Sequence, residues 1–379
     1  MNLCIISDLH CKFQLDINEK SDSALFSNMP RRPVSRNPLA SILRLIENES
    51  LVDKVDYLLC LGDLGDKADE QGIMSGWLGI LEIGNKLNVK QIFGIPGNHD
   101  VASRSTQPFS FIRSFHESFP TPNVDQNNSF WNKGYSISNT NGFLILLLNS
   151  VHDHTNVNNA QIASLKPECI EDIESELETM DLNDNLIKVC ILHHHPVKHS
   201  NISHYRDGDS LDNGDILIQS LIKYGFNMLI HGHKHQPRFR TENSLPILGA
   251  GSFSSYANLE KLPYRPSFHI VEFKDYGVRG NIKTWEFDVK NGWKVNLNED
   301  FPPIIGFGCM PNLENVADRI ATLTNKHGVV RFQEVQNEIP EIVNLTPTTL
   351  ERLGEILNTN YNIVSYPKFP LRPSIIETK

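Results

Sequence analysis

The chain has 379 residues, 39% of them hydrophobic and 21% charged, a balance that excludes long-range disorder and supplies a sizeable core. Lys and Arg number 35 against 45 Asp and Glu, a net charge of −10, which argues against a surface built to neutralise a long phosphate backbone. At about 150 residues per domain, the length suggests two or three units.

The first residues, Met1-Asn2-Leu3-Cys4-Ile5-Ile6, enter a strand pattern directly, without a basic n-region or a small-residue cleavage site. No later apolar run approaches the roughly 18 residues needed to span a bilayer. Six cysteines (Cys4, Cys11, Cys60, Cys169, Cys190 and Cys309) form no Cys-x-x-Cys pair, and Cys4, Cys60 and Cys190 lie in apolar runs. They read as buried thiols of a reducing compartment, so a cytoplasmic location without membrane contact is expected.

Short apolar runs recur at residues 3–7, 55–61, 89–95, 143–148, 187–192 and 227–230. Their continuous apolarity predicts strands buried on both faces. Helix-like segments fall between them, near residues 39–46, 76–87, 108–118, 168–180 and 215–224. Strand alternating with helix predicts an α/β core, in which ligands bind beyond the carboxyl ends of the strands. Residues 12–37 form an Asn-, Ser-, Pro- and Arg-rich loop that is long for such a connection, and its Arg31, Arg32 and Arg36 are within reach of a phosphate or simply solvated.

From residue 246 to 295 the pattern turns to strands, including 268–273 and 282–287, with an Asn291-Gly292 turn. The catalytic domain is expected over residues 1–297, followed by a Pro- and Gly-rich linker at 298–312. Beyond it, Leu313, Val316, Ala317, Ile320 and Leu323 share one helical face. Thr346-Pro347 reads as a cap and first helical residue, with Leu350, Leu353 and Leu357 behind it. Residues 313–379 are therefore read as a small, mainly helical, helix-turn-helix-like module, and its 7 Lys and Arg against 8 Asp and Glu do not indicate strong DNA binding.

Chemistry concentrates where the apolar runs end. The first run ends in Asp8-Leu9-His10, the second in Gly62-Asp63-Leu64-Gly65-Asp66 and the third in Pro96-Gly97-Asn98-His99-Asp100. After residues 187–192 come His193-His194-His195-Pro196, and after 227–230 come His231-Gly232-His233-Lys234-His235. Five runs thus end in metal-type donors, a pattern far more specific than any single histidine motif. His152 and His154 lie outside this pattern and read as polar loop residues.

In residues and in order, these five motifs resemble the calcineurin-like metallophosphoesterases, over residues 1 to about 297. The resemblance implies a four-layer α/β/β/α sandwich carrying a dinuclear metal centre. Carried over by position, Asp8, His10, Asp63 and His235 would bind one ion, and Asp63, Asn98, His194 and His233 the other. His194 is chosen because the family's ligand here precedes a His-Pro pair, matched by His195-Pro196. Mixed nitrogen and oxygen donors suit two divalent or mixed-valence ions: manganese (Mn2+), iron (Fe2+/Fe3+), zinc (Zn2+) or cobalt (Co2+).

The resemblance further implies hydrolysis by a hydroxide bridging the ions, with His99 serving the leaving oxygen and Asp100 either orienting His99 or buttressing the turn. A phosphodiesterase acting on a small, nucleotide-type phosphodiester is expected. A DNA or RNA nuclease is a second reading, which the acidic charge disfavours. A metal-stabilised binding module without turnover is a third. The C-terminal module is then a place for a protein partner or self-association.

Overall fold

A computed structural model describes residues 1–13, 25–27, 37–49, 51–115, 118–140, 142–156, 158–160, 162–166, 168–180, 182, 185–199, 209–255, 265–295, 301–309 and 311–379. Arg31, Arg32 and Arg36 lie outside these residues. Two compact units are present, one of Met1–Ile270 and Glu286–Lys294, the other of Val271–Trp285 and Val295–Lys379.

The first half of the chain alternates strand and helix, as its apolar runs predict. It comprises β1 (Asn2–Ile6), α1 (Pro38–Asn48), β2 (Tyr57–Cys60), α2 (Glu70–Leu87) and β3 (Gln91–Gly94). Then follow α3 (Ser110–Arg113), α4 (Val124–Lys133), β4 (Tyr135–Thr140) and β5 (Phe143–Leu148). Next come α5 (Cys169–Thr179), β6 (Ile187–Leu192), α6 (Gly214–Lys223), β7 (Met228–His231), β8 (Arg238–Glu242) and β9 (Leu245–Gly249). Helix α3 is a single turn where the sequence reading gives eleven residues, and α4, β4 and β8 are absent from that reading. Their polar residues conceal them: β4 reads Tyr-Ser-Ile-Ser-Asn-Thr and β8 Arg-Phe-Arg-Thr-Glu.

One sheet has the order β4-β5-β6-β7-β9-β8. Its central strands are parallel, with Leu146 opposite Cys190 and Ile191 opposite Ile230. Helices α5 and α6 cover one face of it through Ile173, Leu177, Leu217 and Leu221, which pack with Leu144, Leu146, Cys190 and Leu192. The other sheet runs through β10 (Ser267–Lys274), β11 (Arg279–Asp288) and β12 (Gly292–Val295) in the order β12-β11-β10-β1-β2-β3. Here β1, β2 and β3 are parallel, with Ile6 opposite Cys60 and Cys60 opposite Gly94. The sheets meet where the Tyr57 ring lies 4.6 Å from Phe143. This is the four-layer α/β/β/α sandwich, and it brings the carboxyl ends of β1, β2, β3, β6 and β7 together.

The second unit contains β13 (Ile304–Phe307), inside the segment read as a linker; it pairs antiparallel with β11, Ile305 opposite Ile282. Helix α7 (Leu313–His327), strand β14 (Val329–Arg331), helices α8 (Phe332–Glu338) and α9 (Pro347–Tyr361), and strands β15 (Ile363–Tyr366) and β16 (Ile375–Thr378) follow. Thr346 caps α9 by accepting the Thr349 N–H, with Pro347 at the first position. A three-stranded antiparallel sheet, ordered β14-β16-β15, joins the helices that the sequence reveals. Its strands have only three or four residues each, too short for a periodic signal. Val316, Ile320, Val335, Leu353, Leu357 and Ile376 share a core in this unit.

All six cysteines are buried and free. Among the described residues, no helix is long and apolar enough to cross a membrane.

Candidate metal centre

The ladder between β1 and β2 continues past the strands: Asp8 N–H donates to the Gly62 carbonyl (3.0 Å) and His10 N–H to that of Asp63 (2.9 Å). The backbone then turns sharply. Asp8, His10, Asp63, His233 and His235 have φ of 54°, 45°, 52°, 74° and 57°, a left-handed conformation costing roughly 1–2 kcal/mol for a residue with a Cβ. Eight other described non-glycine residues, Asn88 and Asn362 among them, also have positive φ, but these five gather at one place, and such strain persists only where the surroundings over-determine it. Two glycines permit the gathering. A Cβ on Gly97 would stand 2.2 Å from Asp63 Oδ1, and one on Gly232 would stand 2.2 Å from Ser7 Oγ and 2.8 Å from Asp8 Oδ2.

Four groups converge first. His235 Nε2 lies 2.9 Å from His10 Nε2 and 3.4 Å from Asp8 Oδ1. His10 Nε2 lies 3.5 Å from Asp63 Oδ2 and 3.9 Å from Asp8 Oδ1. A second set meets on the far side of the same Asp63 oxygen. His193 Nε2 lies 3.4 Å from Asp63 Oδ2 and 3.0 Å from Asn98 Oδ1, while His233 Nδ1 is 3.0 Å from that Asn98 oxygen.

Hydrogen bonds fix which ring nitrogens are free. His193 Nδ1–H donates to the Leu61 carbonyl at 2.7 Å, and His233 Nε2–H to Asp209 Oδ2 at 2.6 Å. In its neutral form, as a metal ligand, each ring therefore turns a lone pair towards Asn98 Oδ1, itself an acceptor. A cation between them would satisfy these lone pairs, and the donor chemistry fits one at each set. The electrostatics agree. Burial would lower His193, but the Asp63 charge carries it up to about 9, as a proton is drawn to where positive charge is wanted. Asp63 is itself held well below the usual carboxylate range by the surrounding imidazoles, against its burial.

The structure thus brings together Asp8, His10, Asp63, Asn98, His233 and His235, but sets His194 aside. His194 Nδ1 lies 3.0 Å from Ser150 Oγ, and its ring packs 4.5 Å from that of His233. Cys190 and Leu192 of β6 face the helix-side core, so alternation along the strand turns His193 towards the other sheet and His194 away from it. Burial, with His233 and His193 beside it, pushes His194 well below the usual histidine range. His152 pairs with its neighbour Asp153 (2.9 Å) and His154 with the Ile162 carbonyl (3.0 Å), apart from both sets.

His99 stands at the rim, its side chain 34% exposed. Its backbone N–H donates to Asp63 Oδ1 (2.8 Å), and its Nδ1 is 2.8 Å from Asp66 Oδ1. The Lys67 N–H also approaches this nitrogen, at 3.3 Å, but the ionised Asp66 carboxylate at 2.8 Å can only accept, so Nδ1 is the donor. Burial would lower His99, yet Asp63 and Asp66 raise it to about 9.

Asp100 does not orient this ring. Its carboxylate accepts the Gly65 and Gly97 N–H groups, both at 2.9 Å, and buttresses the turn. Buried beside Asp63, it is raised to about 7. The orienting carboxylate is Asp66, which the sequence reading leaves outside the site, as it does His193 and Asp209. Strand parity was the available signal for His193. Asp66 lies 33 residues from His99 and Asp209 lies 24 from His233, so neither pairing has a local signal.

Residues 1–237 match the profile of the family described as calcineurin-like phosphoesterase. The chain belongs to the calcineurin-like phosphoesterase family. Its clustered Asp, Asn and His side chains are donors of the kind that metal-dependent phosphoester chemistry uses. No curated protein matches this phosphoesterase. Among solved structures it is similar to a purple acid phosphatase from yellow lupin seeds, at 14% identity and a TM-score of 0.48, covering 77% of this chain and 52% of the lupin chain. It is also similar to GAP50 of Plasmodium (11% identity, TM-score 0.43, 79% and 90% covered). Phosphopantetheinyl hydrolase of Mycobacterium tuberculosis is a third (14%, 0.39, 66% and 89%). The chain spans about half the length of the lupin enzyme.

Proposed function

We propose that this metallophosphoesterase is a phosphodiesterase acting on a small, nucleotide-type phosphodiester. The observation that carries the reading is Asp63 Oδ2, a single carboxylate oxygen 3.5 Å from His10 Nε2 on one side and 3.4 Å from His193 Nε2 on the other. Asp8, His10, Asp63 and His235 would hold one ion, and Asp63, Asn98, His193 and His233 the second, with His193 in place of His194. Two such ions, drawn from manganese, iron, zinc or cobalt, supply Lewis acidity towards phosphate oxygens and activation of water near neutral pH.

The chain's own residues do the rest. Asp66 holds the His99 Nδ1 proton, which leaves the Nε2 edge of the half-exposed ring to carry a proton to the departing oxygen. The diester preference rests on charge. Lys12 and Lys234, beside the two donor sets, are each already matched by a carboxylate, Asp66 at 2.8 Å and Asp209 at 3.0 Å. Among the described residues, little positive charge beyond the ions and His99 is left for the second negative charge of a monoester, whereas a diester carries only one. Residues 313–379 are proposed as a module for assembly or regulation, with residues 1–297 holding the chemistry.

The test is hydrolysis by metal-depleted protein reconstituted with each ion in turn, on bis(p-nitrophenyl) phosphate, p-nitrophenyl phosphate, and cyclic and linear dinucleotides. The diester is expected to exceed the monoester by at least about tenfold in kcat/KM. A preference for the monoester would refute the diester reading. Protein that binds two ions yet turns over none of these substrates would refute the enzymatic one.

A further inference from the structure

Lys12 is a lysine where a lysine is costly: it is 6% exposed, and a buried ammonium survives only with an anion against it. Its Nζ lies 2.8 Å from Asp66 Oδ2. The other Asp66 oxygen receives the His99 Nδ1–H at 2.8 Å and faces His10 Nδ1 at 3.5 Å. Both carboxylate oxygens are therefore anchored, one to the lysine and one to the two imidazoles.

The lysine is itself fixed by its backbone. Lys12 N–H donates to the Leu25 carbonyl (3.0 Å), and the Lys12 carbonyl accepts the Ser27 N–H (2.8 Å). The preceding residue is held to the Asp66 turn: Cys11 N–H donates to Leu64 (2.9 Å), and Asp66 N–H returns to Cys11 (3.1 Å). A Cβ on Gly72 would stand 2.0 Å from the Cys11 carbonyl oxygen, so helix α2 closes this strand from behind. The backbone that carries the ammonium is thus set by the fold.

We propose that Lys12 is a positioning residue for catalysis: it locks the Asp66 carboxylate, and Asp66 in turn holds the His99 ring at the angle that presents Nε2 to the leaving oxygen. The proposal rests on the hydrolytic reading above, and adds a residue that touches neither an ion nor the substrate. A lone ion pair kept for stability would need only one carboxylate oxygen. Here the second oxygen is committed to His99, which links the lysine to the leaving-group side of the site. Without the lysine one carboxylate oxygen loses its anchor, only the two imidazoles restrain rotation about χ2, and the hold on His99 weakens.

The experiment uses the full-length, metal-loaded protein with Lys12→Ala and Lys12→Met, the second keeping the volume of the side chain should the first misfold. Metal content is measured, and turnover is compared on a diester with a p-nitrophenolate leaving group and one with an alkoxide leaving group. Expected are two ions per chain, a fall of about 10- to 100-fold in kcat on the alkoxide diester, and no more than about threefold on the nitrophenyl diester, which needs little protonation. Ethylammonium added to Lys12→Ala should restore part of the alkoxide rate. Equal losses on both diesters, loss of an ion, or unchanged rates would each overturn the proposal. Crystals of metal-loaded Lys12→Met give a readout without turnover: the Asp66–His99 contact should be lost, and its retention would overturn the proposal. Wild-type protein that hydrolyses neither diester would instead refute the hydrolytic reading, and the crystallographic comparison would still decide whether Lys12 positions His99.

Discussion

His193 and His194 leave the end of β6 on opposite faces, so one step along the backbone separates a metal-type donor from a packing residue. His193→Ala removes a nitrogen from the Asp63, Asn98 and His233 set, whereas His194→Ala removes a ring hydrogen-bonded to Ser150. The expected outcome is about one ion per chain and at least a hundredfold loss of turnover for His193→Ala, against two ions and a much smaller loss for His194→Ala. Metal analysis of the two purified variants decides between them, and the reverse pattern would restore His194 as the ligand. The residue types and strand ends of the donors were legible in the sequence because each motif is contiguous. Which of three adjacent histidines faces the other sheet was legible only through the parity set by Cys190 and Leu192.

At the scale of elements, strands β1, β2, β3, β6 and β7 deliver every proposed ligand, and the last of these is His235. The chain beyond residue 309 forms helices and short strands around a core of its own. In that unit the 3-10 turn Pro340–Asn344 lies between α8 and α9. The exposed face of α9 carries Glu351, Arg352 and Glu355, a mixed surface that gives duplex DNA little to neutralise. A chain ending after Cys309 retains β13 on β11, whereas one ending after residue 300 strips β13 and bares the edge at Gly280–Lys283. The longer truncation is expected to keep two ions and turnover within about threefold of the full chain, and the shorter one to aggregate. Metal analysis and light scattering check both. A folded, metal-loaded chain ending at residue 309 without activity would assign the C-terminal module to the chemistry.

For the whole molecule, acid stability offers a test away from the ligands. His269 is fully buried in β10, where its Nε2 accepts the Gly251 N–H at 3.3 Å and burial pushes it down to about 3. Its folded value lies below the unfolded one of about 6.5, so between these values the unfolded chain binds more protons and stability rises with pH. The contribution is complete above about pH 6.5 and is lost as pH falls towards 3. In chelator, so that ion release plays no part, His269→Gln should reduce the pH dependence of the unfolding free energy between pH 6 and 4 by up to about 1.4 kcal/mol per pH unit. Urea unfolding at several pH values measures it, and parallel wild-type and variant curves would show that His269 is not the titrating group.

The sequence by itself determined the alternation of buried strand and helix, the five strand-end motifs and the Thr346-Pro347 start of α9. Each is written in adjacent residues: an apolar run, a turn glycine, a donor, a cap. The tertiary structure decided what depends on residues far apart in the chain. It set His193 rather than His194 against Asp63 and Asn98, matched Asp66 to His99 and Lys12, matched Asp209 to His233, and turned part of an apparent linker into β13. Backbone geometry acts over a few residues and leaves a local trace, whereas a carboxylate and the imidazole it orients need only meet in space.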